Sequence, residues 1–291
     1  MSYKYHYKEY KTILSPQNGM NLYRGCTHGC IYCDSRSKCY GIDHDFEDIE
    51  VKANAPAILE AQLMRKRKKC VIGTGSMCDP YIPPERELRV TRQALEVIAK
   101  HEFGLSILTK SDLIMRDMDL LQSINRKSKC VVQMTLTTYD DELCKKIEPG
   151  VCTTSRRAEV LTEMKKAGIP TVVWLCPILP FINDTHQNLQ GLLEYCLDAG
   201  VKGIICFGFG VTLREGSRDF FFRELDRKFP GLRERYGREY GNRYECVSPL
   251  NGKLYEKLQE FCRNNNIMYN TQDIFSYLRE YQEEDGQLAF T

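Results

Sequence analysis

Three cysteines, Cys26, Cys30 and Cys33, lie within eight residues of one predicted loop. Thiolates are soft ligands that suit zinc and iron–sulfur clusters. A cubane cluster needs each protein sulfur on a different iron, so a segment that supplies three sulfurs leaves one iron free to bind another molecule. Gly25 and Gly29 stand directly before the first and second cysteines and permit the positive φ angles of a tight wrap. The spacing predicts a metal centre with a free coordination position.

Two other interpretations of these cysteines stay open. A structural zinc site has four ligands in a closed tetrahedron, and Cys39 or, less readily, His28 could be the fourth. The three thiols could also be unrelated core side chains, because buried free cysteine behaves as a small hydrophobe. The chain has 14 cysteines in 291 residues and no segment typical of a secretory signal, so we expect most of them to be reduced.

The elements that must position this loop are predicted by a repeated strand–helix pattern. Short apolar runs typical of buried parallel strands recur at 70–73, 105–108, 130–134, 171–175 and 203–207. Apolar residues at helical spacing occupy 56–68, 85–101, 155–167 and 185–199, and the last two segments end at Gly168 and Gly200. With a further strand at 21–24, the pattern predicts an α/β fold, a partial (β/α)6 TIM-type barrel.

The carboxyl ends of the strands are where such a barrel carries its site. The segments that follow the predicted strands are the cysteine loop, 74–79, 109–110, 135–138, 176–180 and 208–212. We divide the chain into an N-terminal segment 1–20, a barrel core 21–212 and a C-terminal helical extension 213–291 packed on the barrel. No composition break typical of a linker separates the last two.

The composition is that of an ordinary globular protein, with 42% apolar and 27% charged residues. No run approaches the roughly 18 apolar residues of a membrane span, and we expect a cytoplasmic protein. A net charge of +2 means that any affinity for nucleic acid must come from a local patch. No arrangement resembles a Ser-His-Asp triad, which argues against hydrolytic nucleophilic catalysis.

The cysteine spacing, with Tyr32 directly before the third cysteine, resembles the signature of the radical S-adenosylmethionine (SAM) superfamily. Other stretches, in the same order, resemble the branch that contains spore photoproduct lyase and DNA-repair-photolyase-like relatives. They are 21–26, 73–81 with Glu85, 109–111, Glu148 and Pro149 with Arg157, 167–170, and 177–180 with Asn183 and Asp184. The likeness covers most of the chain.

The resemblance implies that Cys26, Cys30 and Cys33 hold a single 4Fe-4S cluster whose fourth iron binds SAM. Family members split SAM with one electron into methionine and a 5′-deoxyadenosyl radical, which takes a hydrogen atom from the substrate. An unidentified reductant such as flavodoxin or ferredoxin would supply the electron. Tyr32 would sit beside the adenine.

The resemblance also assigns SAM contacts to the strand ends. We expect Lys110 and Thr135 to bind the SAM carboxylate, which prefers a cation or a hydroxyl group. Arg157 is a candidate second cation, although an Arg in a first helical turn is as often a solvated surface residue. The other predicted cofactor-binding residues are Gly73, Thr74 and Gly75 near the amino group, Ser76, and Gly208 beside the adenine, where glycine could instead serve a tight turn.

One departure from spore photoproduct lyase bears on catalysis. There, a cysteine three residues before the aspartate returns a hydrogen atom to the product radical, whereas Ser76 occupies that position here. Cys78, directly before Asp79, is the nearest thiol and is a candidate hydrogen donor, with Tyr81 as its candidate partner. The alternative is that Cys78 is a small buried hydrophobe.

Two basic stretches bear on the substrate. Residues 65–69 end a predicted helix on the face opposite the site, where cations suit a helix C-terminus. Residues 223–243 interleave cations with aromatics, as single-strand binders do, but interspersed acids favour an ordinary amphipathic helix. We therefore predict a radical SAM enzyme whose substrate is a nucleic-acid lesion. The alternatives are a radical SAM enzyme for a peptide or small metabolite, and a non-enzymatic zinc-binding protein.

Overall fold

The computed structural model describes residues 3–282. Its strands are β1 (Tyr5–Lys8), β2 (Gly19–Met20), β3 (Tyr23–Arg24), β4 (Ile49–Lys52), β5 (Val71–Thr74), β6 (Gly104–Thr109), β7 (Cys130–Thr135), β8 (Thr171–Trp174), β9 (Gly203–Ile205), β10 (Gly210–Thr212) and β11 (Glu245–Val247). Its α-helices are α1 (Ala55–Arg65), α2 (Glu85–Leu88), α3 (Val90–Lys100), α4 (Met118–Lys127), α5 (Asp141–Ile147), α6 (Thr154–Lys166), α7 (His186–Asp198), α8 (Ser217–Lys228), α9 (Leu232–Tyr240), α10 (Asn251–Asn264) and α11 (Thr271–Arg279). Short 3₁₀ helices span Asp34–Arg36, Lys38–Tyr40 and Asp112–Asp117.

A six-stranded parallel sheet, in the order β2-β5-β6-β7-β8-β9, forms the centre of the fold. Helices connect β5 to β6, β6 to β7, β7 to β8 and β8 to β9, so these strands are joined by the crossovers that parallel pairing requires. Within residues 3–282, β2 and β9 do not pair with each other. The predicted α/β fold and partial barrel are confirmed, and the barrel is not closed.

The outer helices pack on the sheet and share one core with it. Helices α1, α3, α4, α6 and α7 each place buried apolar side chains in one cluster with the sheet, which removes that surface from water. Gly168 and Gly200 follow α6 and α7 with φ of +72° and +61°, the left-handed conformation predicted for these helix ends. No helix in the described part of the chain is long and apolar enough to cross a bilayer.

The first predicted strand, 21–24, needs a correction. The edge strand of the parallel sheet is β2, where Met20 pairs with Thr74. Tyr23 instead pairs with Val51 of β4 in a second sheet, in the order β1-β4-β3. Both β2 and β3 bury apolar side chains, and the choice of sheet depends on long-range partners.

The predicted helix 85–101 is two helices, because Arg89 has a φ of +51° and separates α2 from α3. The buried Glu85 carboxylate accepts hydrogen bonds from the backbone of Thr91 (3.0 Å) and Arg92 (3.3 Å). These are among the first amides of α3, which lack partners within the helix. A side chain of α2 thus serves as the cap of α3.

The C-terminal region is mostly helical, with α8 to α11, and also contains one short strand. It contains β11, which pairs antiparallel with β10. Met268 extends the parallel sheet beyond β9, since its amide donates to the Lys202 carbonyl (3.0 Å) and its carbonyl accepts from Ile204 (2.8 Å). Helix α11 places Ile274 and Leu278 in a cluster with side chains of β7, β8 and β9. The division at 20 and 212 stays a prediction.

Candidate active site

A cavity of about 590 Å³ lies at the carboxyl ends of the parallel strands. Its wall combines the cysteine loop, the ends of β5 to β8, the segment from β9 into β10, and β11. The predicted residues that line it are Cys26, Cys30, Tyr32, Cys33, Gly75, Ser76, Lys110, Thr135 and Gly208. Gly73, Thr74, Cys78, Tyr81 and Arg157 are not part of this wall.

The cysteine loop is held by its backbone. The Cys26 amide donates to the Phe46 carbonyl at 2.9 Å. Gly25 and Gly29 have φ of +84° and +66°, as their positions predicted. A Cβ on Gly25 would lie 2.5 Å from the Phe46 oxygen, so a side chain there would break the contact that anchors Cys26.

The three thiols do not lie as close together as the ligands of a single zinc ion do. Sulfurs around one tetrahedral zinc lie about 3.8 Å apart, since each Zn–S bond is about 2.3 Å. Within residues 3–282, the sulfurs of Cys26, Cys30 and Cys33 do not form a set whose members all lie within 4.8 Å of one another. A 4Fe-4S cluster takes each sulfur at a separate iron, so it does not require the three sulfurs to meet at one ion.

The alternative fourth zinc ligands have other contacts. The exposed Cys39 has its sulfur 3.3 Å from Nη1 of Arg214. His28 directs Nδ1 toward the Asp79 carboxylate at 3.6 Å. Burial lowers the pKa of His28, although Asp79 opposes this, so the imidazole is neutral at neutral pH. Neither contact favours the zinc interpretation.

Asp79 joins the loops that follow β5 and β6. Its Oδ1 accepts from the Thr109 hydroxyl (2.7 Å) and the Tyr81 amide (2.8 Å), and its Oδ2 accepts from the Lys110 amide (2.8 Å). Asp79 thereby fixes the backbone from which the Lys110 side chain enters the cavity wall. Sequence reasoning did not assign Asp79 a role, although its place after a predicted strand was a usable signal.

The Lys110 ammonium is the unpaired cation of the cavity wall. Within the described chain it makes no hydrogen bond or ion pair, and its Nζ lies 6.0 Å from the centroid of the Tyr32 ring. Burial acts to lower the pKa of Lys110, but Cys30, Glu148 and Asp79 outweigh burial and raise it. The group is therefore charged at neutral pH. A partly buried cation without a direct ion-pair partner favours an anionic ligand group beside it.

Tyr32 is held from behind by a buried ion pair. Its hydroxyl donates to Glu148, and Nη2 of Arg157 donates to the same carboxylate at 2.5 Å. The side chains of Arg157 and Glu148 are both 0% exposed. Arg157 also donates to the carbonyls of Thr135 (3.0 Å) and Cys152 (3.1 Å from Nε). The structure thus does not bring Arg157 to the cavity: its charge is compensated by Glu148, and the geometry favours a positioning role.

The predicted catalytic pair lies behind the wall. The Cys78 thiol donates to the Gly25 carbonyl at 2.9 Å, and the Tyr81 hydroxyl donates to Asp117 at 3.1 Å. Both side chains are buried. Cys176, which follows β8, does line the cavity, as do the three loop cysteines and Cys246. Burial raises the pKa of Cys176 to about 12, so it carries its hydrogen at neutral pH.

The cavity mouth is apolar, with Phe207 63% and Val247 48% exposed. The Phe207 ring meets the Trp174 ring edge-on, with centroids 5.9 Å apart.

The basic stretch 223–243 does not add aromatic faces to the cavity mouth. Tyr236 and Tyr240 are buried, and their hydroxyls donate to backbone carbonyls, as the amphipathic-helix alternative requires.

The comparisons with known proteins agree with this partial barrel and its cysteine loop. The model of the Radical SAM superfamily matches residues 20–196. The chain therefore belongs to the radical SAM superfamily, whose members use a 4Fe-4S cluster and SAM.

The relatives found by sequence include proteins without an assigned function. An uncharacterized protein of Mycobacterium tuberculosis is 32% identical over 229 residues, which cover 76% of this chain and 66% of that protein. One of Methanocaldococcus jannaschii is 34% identical over 169 residues, which cover 57% and 62%. The radical SAM Nalpha-GlyT isomerase of Pseudomonas phage M6 is 28% identical over 182 residues, which cover 62% and 36%. The matched part of this chain therefore covers less than two thirds of the length of each of these three relatives.

Solved structures show the same fold. Spore photoproduct lyase with bound AdoMet and dinucleoside spore photoproduct has a TM-score of 0.61 at 14% identity, over 86% of this chain and 74% of that one. Streptococcus suis SuiB bound to precursor peptide SuiA has a TM-score of 0.52 at 14% identity, over 89% and 48%. At such identities the likeness concerns the fold alone.

Proposed function

We propose that this protein is an enzyme in which Cys26, Cys30 and Cys33 hold a 4Fe-4S cluster and Lys110 binds the SAM carboxylate. The observation that carries the proposal is the Lys110 ammonium, which has no direct partner within residues 3–282 and lies in the same cavity wall as the three thiols. When bound, the cluster and SAM supply reductive cleavage to a 5′-deoxyadenosyl radical that takes a hydrogen atom from the substrate. The electron comes from a reductant such as flavodoxin or ferredoxin.

The residues of this chain bind and orient the cofactor. Thr135 adds a buried hydroxyl at the end of β7, and Gly75 and Ser76 add the end of β5. Tyr32 offers its ring to the adenine while its hydroxyl is held by Glu148. The 14 free thiols support the proposal that the protein works in a reducing compartment such as the cytoplasm.

Anaerobic reconstitution tests the reaction class. The full chain is loaded with iron and sulfide, reduced with SAM present, and assayed for 5′-deoxyadenosine. We expect about four irons per chain and product formation in the wild type and in Cys39→Ala, and loss of both in Cys33→Ala. Zinc held jointly by Cys33 and Cys39, or product that survives Cys33→Ala, would overturn the proposal.

For the substrate we propose a nucleobase-containing molecule. The supporting observation is the pair of aromatic rings at the mouth, Phe207 and Trp174, because bases stack on aromatic faces. Spore photoproduct lyase, which binds a dinucleoside, has the same fold. The alternative is a peptide or small metabolite, since SuiB, which binds a precursor peptide, also shares the fold.

Oligonucleotide binding separates these substrate classes. We expect binding that weakens with salt, and Phe207→Ala should weaken it by about 5- to 150-fold, the contribution of one stacked base. Tyr7→Ala is the matched control, since Tyr7 is 60% exposed on β1 and is not part of the cavity wall. Equal effects of both variants, or no binding at any salt concentration, would favour the peptide or metabolite alternative.

Hydrogen return to the substrate distinguishes two thiols. The sequence predicted Cys78 as the donor, but its hydrogen is directed at the Gly25 carbonyl, whereas Cys176 lines the cavity. We expect Cys176→Ser to keep SAM cleavage and lower product formation, and Cys78→Ser to change neither. Product loss confined to Cys78→Ser would restore the original assignment. The measurement is the ratio of product to 5′-deoxyadenosine.

A further inference from the structure

A group of metal-ligating side chains lies at the N-terminal sheet, apart from the cavity wall. Strand β1 pairs in parallel with β4, and this register places His6 beside Glu50. His44, in the loop before β4, completes the group. One ligand atom from each of these three residues lies within 4.8 Å of the other two. None of them has a role in the proposed radical chemistry.

The hydrogen bonds of the two imidazoles define which nitrogen is free. Nδ1 of His44 lies 2.9 Å from the carbonyl oxygen of Asp45, and Nδ1 of His6 lies 3.0 Å from Oδ1 of Asp48. A carbonyl or carboxylate oxygen accepts, so each Nδ1 carries a hydrogen, and Nε2 is the nitrogen that a neutral ring would offer to a metal. Proteins orient metal-binding histidines by this same outer contact.

The free nitrogen of His44 is the strongest single sign of a missing partner. Its Nε2 is buried and has no hydrogen-bond partner within residues 3–282. A buried polar atom of this kind costs free energy unless something binds it. The edge-on contact of the His6 and His44 rings, with centroids 4.9 Å apart, explains their packing but leaves this lone pair unused.

Glu50 has capacity left for a cation. Its side chain is 1% exposed and accepts from Lys8 (3.1 Å) and from the Tyr10 hydroxyl. A carboxylate offers about four lone-pair sites, so these two bonds leave others free. Lys4 pairs with Asp48, and Lys8 pairs with Glu50. The charges of the two carboxylates are therefore balanced, and the carboxylates do not repel each other strongly.

We propose that His6, His44 and Glu50 bind one Zn²⁺ ion through two imidazole nitrogens and a carboxylate oxygen. This mixed nitrogen and oxygen set suits zinc, and it leaves a fourth position for water. The ion joins β1 to the segment that supports the cysteine loop, because β4 pairs with β3 and the Phe46 carbonyl holds the Cys26 amide.

Metal analysis of the full, cluster-loaded chain tests this site. After anaerobic dialysis against Zn²⁺, we expect about one zinc per chain in addition to the cluster iron, and zinc K-edge absorption with nitrogen and oxygen ligands. His6→Gln and His44→Gln should weaken zinc binding at least 100-fold. Asp48→Asn, which removes an outer contact, should weaken it by about 10- to 100-fold. His101→Gln is the control, since His101 pairs with Glu60 elsewhere.

Three results would overturn the proposal: no zinc in the wild type, zinc retained by both His6→Gln and His44→Gln, or sulfur ligands in the absorption spectrum. Iron content and 5′-deoxyadenosine are measured in the same samples. Loss of zinc with iron retained supports this site. Loss of iron in Cys33→Ala with zinc retained shows that the two metal sites are separate, so either proposal can fail without the other.

Discussion

At the scale of single residues, Lys110 distinguishes the cavity from an ordinary cleft. Its ammonium is charged and lacks a protein partner within residues 3–282. Lys110→Met should weaken SAM binding by about 10- to 150-fold, because a hydrogen bond to a charged group contributes about 1.5–3 kcal/mol. Equilibrium dialysis with labelled SAM on the cluster-loaded protein measures this. Lys100→Met, which alters an exposed lysine paired with Glu60, should leave the affinity unchanged.

The buried pair of Arg157 and Glu148 belongs to stability and positioning. Arg157→Met should lower the free energy of unfolding by about 3–5 kcal/mol, because Glu148 would remain as a buried, uncompensated charge. Arg156→Met, next to it on α6, removes only partly exposed ion pairs to Asp112 and Glu159 and should cost less than about 1 kcal/mol. Denaturant unfolding compares the two, and equal losses would contradict the positioning role.

The same pair predicts a pH dependence. Burial raises the pKa of Glu148, but Arg157 and Lys110 outweigh it, so the folded-state pKa lies below the usual 4.5. The ionised carboxylate therefore stabilises the fold above pH 4.5, and this contribution is lost as the pH falls through the folded-state value. The difference in unfolding free energy between wild type and Glu148→Gln should shrink below pH 4.5. If that difference in unfolding free energy stays constant with pH, the ionised Glu148 carboxylate is not the source of the stabilisation.

At the scale of elements, the turn after β5 separates two glycines that the family resemblance grouped together. Gly75 has a φ of +99°, and a Cβ there would lie 2.0 Å from the Leu108 oxygen. A Cβ on Gly73 would meet nothing within 4 Å. Gly75→Ala should cost about 1–3 kcal/mol of stability and weaken SAM binding, while Gly73→Ala should do neither. Thermal unfolding and SAM dialysis test both, and a tolerated Gly75→Ala would contradict the tight turn.

At the scale of the whole molecule, the C-terminal region packs against the central parallel sheet. Helix α11 buries Ile274 against Val131, Val172 and Ile205. Ile274→Ala should lower the free energy of unfolding by about 2–5 kcal/mol, the usual cost of emptying a core position. Ser276→Ala on the exposed side of α11 should change it by less than about 0.5 kcal/mol. An unfolding curve in which Ile274→Ala matches wild type would mean that α11 is not part of the cooperative fold.

Much of the architecture could be predicted because its signals are local. The runs at 105–108 and 130–134 became β6 and β7, and Gly168 and Gly200 ended their helices. The predictions of a parallel-sheet strand at 21–24 and of a single helix over 85–101 are wrong, because local signals do not report distant contacts. Their boundaries depend on distant contacts, the pairing of Tyr23 with Val51 and the Glu85 carboxylate that caps α3.

The sequence by itself determined the chemistry of the cysteine loop, because ligand type and spacing within eight residues are properties of a continuous segment. Only the tertiary structure decided which side chains face the cavity. Arg157 and Cys78 lie behind the wall because Glu148 and the Gly25 carbonyl satisfy them there, whereas Lys110 and Cys176 line it. A buried polar group points to wherever its partner lies, and that partner is usually distant in the chain.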